Sequence, residues 1–132
     1  MIKLFLSKGL QFIAEDELNH RIIVDTDKRL GGLDEGIHPV EFLLVSLGAC
    51  MGMDIVSILK KKGGKIDRFE ITVKGARAEQ HPKAYKKIVV MIDCQGDYKR
   101  EDLLRSFELS RDKYCGAYAT LKKGSIIEFV VK

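Results

Sequence analysis

The sequence predicts an α+β domain of order βββ-α-ββ-α-β, in which a sheet wraps around one buried central helix. Three features carry this. Short alternating apolar segments fill residues 2–25, and one very apolar run covers residues 39–59. Two further alternating segments are then followed by an amphipathic stretch and a last strand-like segment. With 132 residues, 45% hydrophobic and 32% charged, the chain has apolar material for one core, and a single domain over residues 1–132 is expected.

Residues 2–6, 10–14 and 21–25 read as a β-meander, separated by Ser7-Lys8-Gly9 and by the polar residues 15–20. Residues 26–38 hold Gly31, Gly32 and Gly36 among several charges without sustained periodicity, which predicts a long surface loop of the kind that often carries function. Pro39 opens the apolar run. Proline suits the first helical position, and Glu41 in the first turn suits the positive end of the helix dipole. Lys60 to Lys62 and then Gly63-Gly64 supply the C-terminal cations and the stop signal. Apolar residues surround nearly the whole circumference up to Met53, predicting burial on most sides. Asp54 interrupts the uncharged run short of the ~20 residues a membrane span needs, and no membrane partner is expected.

In the second half, Phe69, Ile71 and Val73 share one strand face, and Ile88, Val90, Ile92 and Cys94 share a face of the next strand, with residues 79–82 as the turn between them. Residues 100–114 form an amphipathic helix with Leu103, Leu104 and Phe107 on its apolar side. Residues 115–124 form a short second helix ending in lysines and glycine, and residues 125–131 form a final strand.

The net charge of +4 is spread over small groups at element ends, the pattern of solvated helix termini and turns, so no nucleic-acid partner is expected. The N-terminal residues lack the apolar core and cleavage pattern of a signal peptide, which predicts a cytoplasmic protein. Three cysteines do not make a secreted disulfide framework. There is no C-x-x-C, and His20, His38 and His81 form no metal-ligand spacing with the cysteines, so neither metal nor cofactor is expected.

The chemistry rests on cysteines. Cys50 lies in the apolar run; on periodicity alone it is a small core hydrophobe, but Gly48, Ala49 and Gly52 strip bulk from the helix around it, so that another backbone or a substrate can come close. The Gly48-x-x-x-Gly52 spacing also suits a close helix–helix contact. Cys115 sits where the helical pattern breaks. Read as a hinge residue it is buried and inert; read as the start of the second short helix it meets free N–H groups that favour a thiolate. Cys94, in phase with Ile88, Val90 and Ile92, reads as core.

The stretch His38-Pro-Val-Glu-Phe-Leu-Leu-Val-Ser-Leu-Gly-Ala-Cys50 resembles the signature of the OsmC/Ohr family, and Ser110-Arg-Asp-Lys-Tyr-Cys115 followed by Leu121-Lys-Lys resembles its second cysteine motif. The resemblance implies an OsmC-like fold, an intertwined homodimer with active sites at the subunit interface, and a thiol peroxidase acting in oxidative stress. It implies Cys50 as the nucleophile that attacks an organic hydroperoxide, and Cys115 as the resolving thiol. An external dithiol reductant, a lipoyl protein or a thioredoxin-like one, resets such enzymes. Leu47, Met51 and Met53 would supply apolar walls favouring organic peroxides.

The sequence departs from the family in two places. Val40 stands where the hydroperoxide branch has a glutamate that pairs with a catalytic arginine. The glutamate comes one residue later as Glu41, which nine residues at ~100° place opposite Cys50 on an ideal helix. Glu41 is thus a catalytic candidate only if the helix start is irregular, and otherwise a first-turn dipole partner. Arg21, Arg29 and Arg77 are the candidate arginines, and Gly116 replaces the proline that commonly follows the second cysteine. Asp54 shares the face of Cys50 and would raise its thiol pKa unless an arginine lies between them. The rival reading is a non-catalytic protein of the same fold that binds a small apolar ligand or partner at the dimer interface.

Overall fold

Strand pairing follows the alternation of the sequence. β1 (Lys3–Leu6), β2 (Phe12–Glu15) and β3 (Arg21–Val24) form an antiparallel sheet in chain order, with Leu4, Ala14 and Ile22 aligned across it. The computed structural model describes residues Met1–Lys132, and contacts group them into two compact units, Met1–Leu43 and Leu44–Lys132.

The loop after β3 is organised by Asp25, which is only 1% exposed. Its carboxylate accepts from Gln11 Nε2 at 3.0 Å and from the backbone N–H groups of Thr26, Leu33 and Glu35 at 2.8–3.3 Å. Burial alone would raise the pKa of this group. The hydrogen bonds from Gln11, Thr26, Glu35 and Leu33 outweigh it and hold the carboxyl at about 2. Gly32 is required here, because a Cβ would stand 2.0 Å from Thr26 O and 2.7 Å from Asp25 Oδ1. The segment read as a long surface loop is thus wound around one buried anion.

The long helix α1 spans Glu41–Lys61. Pro39 lies in an entry turn of i→i+3 hydrogen bonds (Glu41 N to His38 O, 3.0 Å; Phe42 N to Pro39 O, 3.3 Å), so the α-helix starts two residues later than the proline suggested. By length and composition α1 could cross a membrane, a test that the core helix of a soluble protein also passes. Its Leu47, Met51, Ile55 and Leu59 are completely buried. The opposite stripe is not covered within this chain: Val45 is 46% and Met53 73% exposed. The all-round apolar circumference therefore buries one face in the core and leaves another free.

In the second unit β4 (Lys65–Arg77) pairs antiparallel with β5 (Tyr85–Asp97), and β5 pairs in parallel with β6 (Ile126–Val131). The register sets Phe69, Ile71 and Val73 opposite Cys94, Ile92 and Val90 on one face. The glycines of α1 meet this face. A Cβ on Gly48 would approach Val73 Cγ2 to 2.9 Å, and one on Gly52 would lie 3.4 Å from Phe69 Cε1. The small residues thus admit a strand's side chains, not a second helix. They lie 200° around the helix from Cys50 at ~100° per residue, so they do not open its thiol.

The parallel β5–β6 pair needs a crossover, built from α2 (Arg100–Leu109), a π turn (Ser110–Tyr114) and α3 (Gly116–Leu121). Phe129 of β6 packs edge-on against Phe107 of α2 at 5.0 Å and Tyr118 of α3 at 5.5 Å, contacts worth ~0.5–1.5 kcal/mol each beyond area burial. The helix read over residues 100–114 is there, but its last turn is π.

Candidate functional site

Cys50 is partly exposed on α1, and Cys115 is 3% exposed as the N-cap of α3; both are free thiols. They are brought together, close enough for the Cys50 side chain to act on the Cys115 thiol. Cys94 lies in β5 opposite Phe69, buried in the core as its phase implied.

The helix N-terminus read at Cys115 is present. Tyr118 N–H donates to Cys115 Sγ at 3.3 Å. The expected lowering of the thiol pKa is not. Burial pushes Cys115 up to about 11, the hydrogen bond to Cys50 adds to the rise, and the N–H of Tyr118 offsets only part of it. A six-residue helix carries little dipole against such desolvation. Cys115 therefore keeps its proton at neutral pH.

Asp54 lies one turn after Cys50. Its partner is a hydroxyl, not an arginine: Ser110 Oγ donates to its Oδ2 at 2.9 Å. Beyond it opens a cavity of about 420 Å³, lined by Asp54, Ser57, Ile58, Lys61, Leu109 and Tyr114. The three candidate arginines are engaged locally: Arg21 with Glu15 at 2.6 Å, Arg29 with Asp27 at 2.9 Å through Nε, and Arg77 with the backbone oxygen of Lys83 at 2.7 Å. Glu41 also works locally. Its carboxylate accepts from the backbone N–H of His38 at 3.3 Å, the acidic half of a capping box, while Glu41 N–H donates to the backbone carbonyl of His38 in a turn bond. The helix enters through i→i+3 bonds from the N–H groups of Glu41, Phe42 and Leu43, to the carbonyls of His38, Pro39 and Val40. Of the apolar residues read as pocket walls, Leu47 and Met51 are core and Met53 is exposed.

Sequence reading missed Asp25, Ser110 and the π turn. For Ser110 no signal existed, because the inward positions 106 and 110 are serines that apolar periodicity does not mark.

Fold and site together define an α+β protein with two cysteines, distant in sequence, brought together from its longest helix and the start of a short crossover helix. The chain belongs to the OsmC-like protein family, whose model matches residues 32–130. Protein YhfA of Escherichia coli is 30% identical over 117 residues, 88% of this chain and 84% of its own. Among solved structures, a hypothetical protein from Aquifex aeolicus matches with a TM-score of 0.88 and 31% identity over 100% of this chain and 93% of its own. An organic hydroperoxide resistance protein OsmC from Legionella pneumophila matches with a TM-score of 0.72 over 100% and 95%; at 11% identity this is a likeness of fold.

Proposed function

We propose that this protein is a cytoplasmic thiol peroxidase that reduces organic hydroperoxides under oxidative stress, with Cys50 as nucleophile and Cys115 as resolving thiol. One observation carries the reading: two free thiols in contact, one of which holds its proton up to about 11. The Cys50 thiolate attacks the terminal peroxide oxygen, the O–O bond breaks, and the leaving alkoxide takes a proton to become the alcohol. Cys50 is then a sulfenic acid. The sulfur of Cys115 displaces its hydroxyl, water leaves with the Cys115 proton, and a disulfide joins the two. A dithiol reductant, lipoyl or thioredoxin-like, returns both thiols by exchange and is itself oxidised. The Legionella neighbour's description as an organic hydroperoxide resistance protein supports the substrate class.

Glu41 in this reading clamps the start of the helix that bears Cys50. A homodimer fits the uncovered stripe of Val45 and Met53 on α1. The test is peroxide-dependent loss of free thiols with mapping of the disulfide. Cys50→Ser should abolish peroxide consumption, and Cys115→Ser should accumulate a sulfenic acid or mixed disulfide. An unchanged rate in Cys50→Ser would sink the reading.

A second reading is favoured by one feature of the first unit, a cavity of about 460 Å³ walled by Ile2, Leu4, Ala14, Ile22, Val24, Pro39 and Phe42. In it the protein binds a small apolar ligand without turnover. Stoichiometric thiol oxidation that no dithiol reverses, together with saturable binding of an apolar fluorophore, would favour it.

A further inference from the structure

We infer that Ser110 is a positioning residue for the Cys50/Cys115 pair, acting through its hydrogen bond to Asp54 and the π turn that it opens. The inference rests on the dithiol reading above. Ser110 is completely buried, and its hydroxyl and its carbonyl are used in opposite directions. Its hydroxyl reaches Asp54 Oδ2 at 2.9 Å, one turn from Cys50 on α1. Its carbonyl accepts the N–H of Cys115 at 2.8 Å, five residues on. One side chain therefore ties the helix carrying the first cysteine to the backbone of the second.

The i→i+5 bond decides which residue faces inward. The inward positions of α2 are Leu103, Ser106, Phe107 and Ser110, and an α-helix continued from them would turn Tyr114 inward next. Instead Tyr114 is 52% exposed and Cys115 is 3% exposed. The extra residue in the turn moves the inward position along by one. A π turn is not the preferred winding of a helix, so it needs something to hold it, and Asp54 supplies a fixed anchor for the residue that opens it. Asp54, which reads from sequence as an unhelpful charge beside a nucleophile, is here the acceptor that sets where the second thiol lies.

The test uses the full chain and no peroxide. Oxidised dithiothreitol is equilibrated with the protein; two electrons and two protons pass from Cys50 and Cys115 to it, a protein disulfide forms, and reduced dithiothreitol is released. Ser110→Ala should lower the equilibrium constant about tenfold, the scale of one buried hydrogen bond, and Ser110→Thr, which keeps the hydroxyl, should restore most of it. Asp54→Ala removes the other end of the bond and should match Ser110→Ala; the double variant should fall little further, whereas Asp54→Asn, which keeps an acceptor oxygen, should stay near the native value. If Ser110→Ala does not fold, Asp54→Ala carries the same expectation. An equilibrium constant unchanged in Ser110→Ala, or additive losses in the double variant, overturns the inference. A native protein that forms no disulfide in this exchange would instead overturn the dithiol reading beneath it, and a failure with peroxides would leave this result standing.

Discussion

Tyr118 N–H points at Cys115 Sγ from 3.3 Å, yet the thiol it caps has its pKa raised from 9.0 to about 11. Because the folded state favours the protonated form, this group's contribution to stability is fully present below about pH 9. It is lost as pH rises through 9 toward 11. Denaturant unfolding followed across that range should therefore show a steeper alkaline loss for the native chain than for Cys115→Ser. Equal slopes would mean that the buried thiol does not carry the effect.

Asp25 works at the other end of the scale. Its folded pKa of about 2 lies below the ordinary 3.8, so its contribution is present above about pH 4 and disappears as pH falls toward 2. Asp25→Asn should lower the melting temperature at pH 7 and flatten the acid limb between pH 4 and 2. If the two chains melt alike at pH 7, the carboxylate does not hold the loop.

The two glycines of α1 make opposite predictions. Gly52→Ala meets ordinary van der Waals contact at 3.4 Å and gains helix propensity, so it should be neutral or stabilising by up to ~1 kcal/mol. Gly48→Leu drives a side chain into Val73, where even a Cβ lies within 2.9 Å, and should cost ~1–3 kcal/mol. Urea midpoints compare them directly; a destabilised Gly52→Ala would contradict the packing described.

Met53 probes the proposed homodimer. A charge at a position 73% exposed in the single chain costs little if that face meets water, and much if a second subunit covers it. Met53→Glu should shift the sedimentation equilibrium toward monomer without lowering helix content. A dimer of native strength in that variant would remove α1 from the interface.

Much of the fold was legible because its periodicities are clean. Ile88, Val90, Ile92 and Cys94 alternate in a strand buried on one face, and Arg100 to Leu109 repeats at helical spacing. The start of α1 was misplaced by two residues because a proline fits an entry turn as well as the first helical position. The cysteine pair was reachable through the resemblance of its two motifs to those of the OsmC/Ohr family. Its electrostatics were not, because the rise in the Cys115 pKa comes from desolvation and from a neighbour distant in sequence. Asp25 escaped for a related reason. Its donors are mostly backbone N–H groups, which every residue has, so nothing in their identities marks the site.

The crossover that carries Cys115 has a consequence for the order of events in folding. β5 and β6 run parallel, so the last strand can pair only after α2, the π turn and α3 have travelled the length of the sheet. Pairings of this long-range kind are slow to form. Phe129, at the middle of that last strand, anchors both helices flanking Cys115. The two sulfurs should therefore meet late, after the C-terminal strand has docked, so that a nascent or misassembled chain keeps its thiols apart. Proximity of the thiols is then a check on completed assembly.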